Sequence, residues 1–198
     1  QHYVISLISN GDLHSKFNKS NVQVYELNFK KNFFFLIHFF KLFQLVKQIK
    51  PNILMGWMYH SSILAYILGK LLKTEKIYWN IRHTKLVFLK SSIFTIIISK
   101  LLAIISNFSK IYIIYCSDES KKLHSKVGYN NKFAKIIFNG VDIYKYKLSN
   151  ETKLKLKNKY QIGQDTFVIG MIANYRKQKN HTFLFKSLNI FKGKKINF

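Results

Sequence analysis

Ile53-Leu54-Met55-Gly56-Trp57, a helical run ending near Leu72, and then Ile77-Tyr78-Trp79-Asn80-Ile81 decide the fold. Each apolar run is too short for a helix and suits a short strand. The segment between them is long enough for a crossover helix, with Ser61 and Ser62 as its candidate caps. A strand, a helix and a second strand in that order make a parallel pair.

The same alternation extends outward in both directions. Val4 to Ile8 and Val22 to Leu27 read as strands. Phe33 to Ile49 reads as a helix, because His38, Lys41, Gln44 and Lys47 recur every three residues and leave a broad apolar face. Pro51 stops it. Downstream come an apolar helix from Leu86 to about Ser106 and a strand from Ile111 to Cys116. A helix opened by Ser117 runs toward Val127, with Asp118 and Glu119 in its first turn as capping rather than catalytic residues. Ala134 to Phe138 is a further strand, ending in the turn Asn139-Gly140.

The composition then shifts. Leu148 to Tyr160 is lysine-rich and reads as a solvent-facing connecting helix, capped by Ser149 or Asn150 with Glu151 in the first turn. Phe167 to Ala173 is expected as a new buried strand in which Gly170 allows close packing. His181 to Ile190 is expected as a helix and Lys194 to Phe198 as another strand. The fold class is therefore α/β, with a Rossmann-like parallel-sheet domain over residues 1–147. A connecting helix and the start of a second such domain occupy 148–198.

The 198 residues are 48% hydrophobic, which excludes wholesale disorder. The single cysteine, Cys116, excludes a disulfide scaffold and a cysteine-based zinc site. Only 8 acidic residues are present, so a magnesium cage or a hydrolytic carboxylate pair is poorly supplied. The net charge is +25, but of 33 basic residues only Arg82 and Arg176 are arginine, and the lysines form no dense run. Nucleic-acid recognition draws on arginine's bidentate fork, so no nucleic-acid partner is expected. A solvated lysine surface is the first reading, and peripheral contact with an anionic membrane is the second.

Gln1 enters a strand-like run with no basic leader and no initiator methionine, so the chain reads as beginning inside a longer protein. Ser91 to Ser109 carries one charge, Lys100, which would cost a spanning helix about 2.5–3.5 kcal/mol. Ser92, Thr95, Ser99, Ala103 and Ser106 form a small, weakly polar stripe on it. A buried or surface-attached helix is the favoured reading.

Ligands of open parallel sheets bind at the carboxyl ends of strands. Three segments qualify. Arg82-His83-Thr84 pairs a guanidinium with an imidazole, suited to an anionic or hydroxyl-bearing ligand. Trp57-Met58-Tyr59-His60 is an aromatic strand end. In the third, an apolar run from Val168 enters the basic turn Arg176-Lys177-Gln178-Lys179 and then a helix at His181, an arrangement that favours a phosphate group.

Asn139-Gly140-Val141-Asp142, lying between a strand and a lysine-rich helix, resembles the Asn-Gly-Val-Asp turn of retaining GT-B glycosyltransferases of family 4. Gly170 to Asn180 is similar to that family's phosphate loop, and Gln178-Lys179-Asn180 matches its core. Ser117, the helix after it and Gly128-Tyr129 resemble another family segment. Ile81-Arg82-His83-Thr84 falls where many members carry a Phe-His-Thr-like loop.

The resemblance implies a GT-B fold of two Rossmann-like domains facing a cleft. It implies transfer of a sugar from a nucleotide-sugar donor to a lipid-linked or growing glycan, in surface polysaccharide or lipopolysaccharide synthesis. The location implied is cytoplasmic, with peripheral docking on the inner face of the membrane. No cofactor beyond the nucleotide-sugar substrate, and no metal, is implied. Lys179 would pair with the donor diphosphate, with Arg176 and Asn174 beside it. His83 would contact the transferring sugar or the acceptor, with Arg82 next to it. Asn139 and Gly140 would lie at the hinge, with Gly140 supplying backbone freedom.

The family arginine five residues before the loop lysine is Asn174 here, with Arg176 offered as its substitute, and the loop proline is Lys177. The family's first strand with its Gly-Gly loop would precede Gln1, and its Glu-x7-Glu donor segment would follow Phe198. The expectation is a fragment that is inactive and unstable alone. The enzymatic alternative is another GT-B member, and the non-enzymatic one is a basic membrane- or nucleic-acid-binding module.

Overall fold

The computed structural model describes residues 1–8, 17, 22–29, 35–83, 93–147, 149–163 and 166–190. The chain forms two compact units, Gln1–Gly140 and Val141–Phe198.

The first unit runs β1 (Tyr3–Ser6), β2 (Gln23–Glu26), α1 (Phe35–Ile49), β3 (Ile53–Trp57), α2 (Met58–Leu71) and β4 (Lys76–Ile81). It continues with α3 (Ile93–Phe108), β5 (Tyr112–Tyr115), α4 (Asp118–Val127) and β6 (Ala134–Ile136). Every strand pair is parallel. β3, β4, β5 and β6 form one sheet in that order, and β1 with β2 forms a separate two-stranded sheet. Consecutive strands lie side by side because each helix returns the chain to the same end of the sheet.

Two apolar clusters hold this unit. In the larger one, Tyr59 of α2 and Ile98, Leu102 and Ala103 of α3 pack on Ile77, Trp79 and Ile81 of β4 and on Ile113 and Tyr115 of β5. The smaller is centred on Leu42 and Val46 of α1 and Leu68 of α2. Ile5 and Leu7 from the β1 side and Leu54 of β3 pack against those same three residues, so α1 covers both sheets.

The small stripe of α3 is turned inward, with Ser99, Ala103 and Ser106 buried. Its hydroxyls serve the segment after α4: Ser99 Oγ lies 3.3 Å from Tyr129 Oη, and Ser106 Oγ accepts from the Asn130 amide at 2.9 Å. Ser92, the first residue of the expected stripe, lies outside the described residues. Among the described residues no helix is long and apolar enough to cross a membrane.

The start of α2 differs from the serine-capped one expected. The helix begins at Met58, directly after the strand, and Met58 itself has φ 71°. Ser62 therefore sits a turn inside, where its hydroxyl donates to the Met58 carbonyl at 2.6 Å instead of capping. The abrupt turn brings the helix onto the strand at Gly56, where a Cβ would lie 2.4 Å from Ser62 Cα and 2.6 Å from the Ser61 carbonyl oxygen. Gly56→Ala is expected to cost about 1–3 kcal/mol, read as a lower melting temperature by circular dichroism. Gly140→Ala, where a Cβ meets nothing within 4 Å, serves as the silent control.

In the second unit α5 (Asn150–Lys159) is followed by a 3-10 turn (Lys177–Lys179) and α6 (His181–Ile190). Ser149 caps α5 by accepting from the Thr152 amide at 3.0 Å, and Lys155 pairs with Glu151 at 2.6 Å on the exposed face. The expected buried strand from Phe167 to Ala173 is not formed. The segment carries no strand pairing among the described residues, and Phe167, Val168, Ile169 and Ile172 are exposed. An apolar run becomes a strand only when a neighbour takes its backbone hydrogen bonds. A Cβ placed at Gly170 would likewise meet nothing within 4 Å, so no close packing there requires glycine. The strand expected from Lys194 to Phe198 lies outside the described residues.

Candidate functional site

The carboxyl ends of β3 to β6 come into register: Trp57 is opposite Asn80, Ile81 opposite Tyr115, and Tyr115 opposite Ile136. Three of the segments singled out in the sequence meet at this edge. Arg82, leaving β4, places its guanidinium carbon 4.9 Å from the centroid of the Trp57 ring. Its Nη1 donates to Oδ1 of Asn139, in the turn beyond β6. A cation on an exposed indole contributes about 0.5–1 kcal/mol and, more usefully here, fixes the plane of the guanidinium. Arg82 Nε is buried without a partner among the described residues, so the group keeps an unused donor.

His83 follows. Its ring stacks on Tyr59, with centroids 5.5 Å apart and planes 16° from parallel. The Ser120 hydroxyl donates to the His83 carbonyl at 2.7 Å, which holds the loop from the side of α4. Although the residue retains an exposed face, desolvation against the aromatic wall lowers the imidazole pKa below 6.5. At neutral pH it is a neutral ring able to donate to or accept from a hydroxyl. Thr84 lies outside the described residues.

Beneath these groups is a buried polar floor. Tyr59 Oη and His124 Nε2 are 2.7 Å apart, and His124 Nδ1 is 2.7 Å from the Ser120 carbonyl oxygen. A carbonyl can only accept, so Nδ1 carries the hydrogen, and Nε2 accepts from the tyrosine hydroxyl. His124 and Ser120 are fully buried. Burial pushes the His124 pKa down, the Ser120 carbonyl opposes this, and the nearby His83 lowers it further. Burial raises the Tyr59 hydroxyl to about 12. The hydroxyls of Tyr115 and Tyr129, which crowd the same ring, are also raised by burial.

These shifts set the pH limits of the fold. A histidine held neutral contributes stability that is complete above its unfolded pKa, about 6.5, and declines as pH falls below it. The tyrosines contribute below about 10 and lose that contribution as pH rises. Urea unfolding is expected to show a fall in stability from pH 7.5 to pH 5.5. His124→Gln, which removes the titrating ring, is expected to flatten that slope. An equal slope in the variant would show that the floor is not the titrating element.

The floor was only partly legible beforehand. Tyr59 lay in a segment already chosen, but its neighbour His60 turns away and packs on Phe94 at 5.9 Å. Ser120 and His124 were not singled out, although their spacing of four places both on one face of α4.

The remaining candidates belong to the second unit. Asn174, Arg176, Lys177 and Lys179 are all exposed. The turn is closed by the Lys179 amide donating to the Arg176 carbonyl at 2.9 Å, and by Asn180 in the left-handed conformation at φ 54°. The Asn180 carbonyl accepts from the Phe183 amide at 3.0 Å, and Tyr175 packs on His181 at 5.2 Å. Gly140 ends the first unit at an ordinary negative-φ backbone, so its conformation there does not require glycine. Among the described residues no cluster of His, Cys, Asp or Glu could hold a metal ion.

The sequence matches no protein-family model and none of the curated proteins. Solved structures do resemble it. Anabaena Alr3699/HepE in complex with UDP superposes with a TM-score of 0.73 at 17% identity. The same protein with UDP-glucose gives a TM-score of 0.72, and with UDP and glucose 0.71, each at 17% identity. Each match covers 94% of this chain and 49% of the other, so the chain spans about half the length of the structures it matches. The fold class is α/β of the GT-B type, with a Rossmann-like parallel sheet in the first unit.

Proposed function

We propose that this chain is part of a nucleotide-sugar-dependent glycosyltransferase of the retaining family 4 type. It would move a sugar onto a lipid-linked or growing glycan in surface polysaccharide synthesis at the cytoplasmic face of a membrane. The observation that carries this reading is the meeting of Trp57, Arg82, His83 and Asn139 at the carboxyl edge of the sheet. It gains support from the fold of a protein seen with UDP and UDP-glucose.

In this reading residues 1–147 form the acceptor side, and 148–198 begin the donor side. His83, neutral and braced by Tyr59 and Ser120, contacts a hydroxyl of the transferring sugar or the acceptor. Arg82 supplies a fixed positive charge next to it. Lys179, with Arg176 and Asn174, faces the donor diphosphate. The bond from the anomeric carbon to the diphosphate breaks with its electron pair going to the nucleotide. The acceptor oxygen bonds to that carbon and its proton passes to the departing diphosphate. Cations at the diphosphate offset the charge that develops there, the contribution on which such catalysis most depends. Asn139 and Gly140 serve as the hinge in this reading. No resident cofactor takes part.

Titration calorimetry with UDP-glucose and UDP tests the reading on the protein. Saturable binding of both is the expected result. No binding of either, together with salt-sensitive binding to nucleic acid, would replace it with the basic binding module.

A further inference from the structure

Of the 33 basic residues only Arg82 and Arg176 are arginine, and Arg82 is the only one in the first unit. A chain that meets almost every need for positive charge with lysine keeps a guanidinium where its planar fork matters. Each part of that plane has its own surroundings at Arg82. One face lies on the Trp57 indole, 4.9 Å from the ring centroid, and Nη1 donates to Asn139 Oδ1. Both contacts fix the plane. Nε and Nη2 form the remaining side edge, whose two N–H bonds run parallel. Nε is buried and has no partner among the described residues. An arginine kept only to brace Trp57 and Asn139 would not leave a buried donor unused, because such a donor weakens the fold until an acceptor reaches it.

The chain does not supply that acceptor as a carboxylate, for no acid pairs with Arg82 among the described residues. The first turn of α4 reaches the site through Ser120 and carries two acids. Glu119 pairs with Lys122 at 3.5 Å, and Asp118 is exposed. Asp142 Oδ1 accepts from the amides of Tyr144 and Lys145. The charges of Asp118 and Glu119 oppose a diffuse attraction for anions, so a directed pair of hydrogen bonds is what selects one. Arg82 and His83 leave β4 on opposite faces of the sheet, Arg82 over Trp57 and His83 onto Tyr59 of α2.

We infer that the acceptor is an anionic sugar, gripped through a carboxylate or a phosphate ester by the Nε–Nη2 edge of Arg82 while its hydroxyl meets His83. The ligand straddles the end of β4, with the oxyanion on the Trp57 side and the hydroxyl on the Tyr59 side. Two oxygens on one carbon or phosphorus match two parallel N–H groups. A lysine ammonium in the same place would supply the charge without the orientation. The inference rests on the proposed function for the acceptor role and adds the chemical class of the acceptor.

With two arginines in the chain, nitrogen-labelled protein gives two Nε–H signals, and Arg82→Lys identifies one of them. Glucose 6-phosphate and glucuronate are titrated separately at constant ionic strength, with glucose and UDP-glucose for comparison. The Arg82 Nε–H signal is expected to shift saturably with at least one anionic sugar and to stay in place with glucose. Whichever sugar moves it tells a phosphate ester from a carboxylate. In Arg82→Lys, with circular dichroism unchanged, binding of that sugar followed at the Trp57 indole N–H should weaken at least about tenfold. If the variant does not fold, the wild-type signal still decides.

An Nε–H signal unmoved by both anionic sugars, or equal affinity in the folded lysine variant, would overturn the inference. So would a signal moved by UDP-glucose alone, which gives the guanidinium to the donor. Neither anionic sugar is a nucleotide, so the two ideas fail separately. Capture of an anionic sugar without binding of UDP-glucose keeps the anion site and removes the transferase reading, and the reverse removes only the anion site.

Discussion

In the full-length transferase of the proposed function, Lys179→Ala is expected to weaken UDP-glucose binding at least about tenfold and to slow transfer by about 10²–10³. The argument rests on where the side chain is. Its backbone closes a turn through its own amide and the Arg176 carbonyl, so the turn does not depend on the ammonium group. The side chain is exposed and its truncation leaves no cavity, so the melting temperature should stay at the wild-type value. In the proposed function, what is lost is a cation at the donor diphosphate. Lys179→Arg keeps the charge but not the point geometry, and should recover part of the affinity. Raising the salt should weaken binding of the wild type more than that of the alanine variant. Equal affinities for wild type and alanine variant would remove the lysine from the donor site.

His83→Ala is expected to lower the transfer rate by about 10² or more while donor affinity is retained. The separation of effects follows from the proposed roles, in which Lys179 serves the donor and His83 contacts a hydroxyl at the carboxyl edge of the sheet. Ser120→Ala tests how the ring is positioned. It removes the hydroxyl that holds the His83 carbonyl at 2.7 Å, so it should lower kcat by less than His83→Ala does. It should also move the pH profile of kcat, because a looser ring is better solvated and regains a pKa closer to 6.5. A rate loss in Ser120→Ala with an unmoved pH profile would mean that the serine serves the fold alone.

The elements that could be read from the sequence were those whose signals are local. Ile53 to Trp57 is an apolar run with a proline before it, and it forms a strand with those bounds. Ser117 before Asp118 and Glu119 is a local cap, and its hydroxyl accepts from the Ser120 amide at 3.1 Å. His181 to Ile190 is helical as expected. What could not be read depends on partners distant in the chain. Phe167 to Ala173 has the composition of a buried strand, but composition does not supply a neighbouring ladder. The helix expected after Ser61 starts at Met58 because contact at Gly56 decides where the turn falls.

The site shows the same division. Arg82 and His83 were chosen by their place at a strand end. Their supports, Tyr59, Ser120 and His124, come together only through the packing of α2 and α4 on the sheet. His124 in particular looks like an ordinary polar helix residue until burial and its two hydrogen bonds are seen.

The split between the β1–β2 ribbon and the four-stranded sheet has a consequence for how the molecule breathes. No hydrogen-bond ladder crosses that divide among the described residues, and the two sides meet in the apolar cluster around Leu42, Val46 and Leu68. A ribbon held by side chains alone can open without breaking the ladder beside it, and so forms a cooperative unit of its own. The floor under Arg82 and His83 is built by α2, β5 and α4, on the far side of that seam. Fluctuations of the amino-terminal ribbon therefore meet α1 and the Leu68 end of α2 before they reach Arg82 and His83.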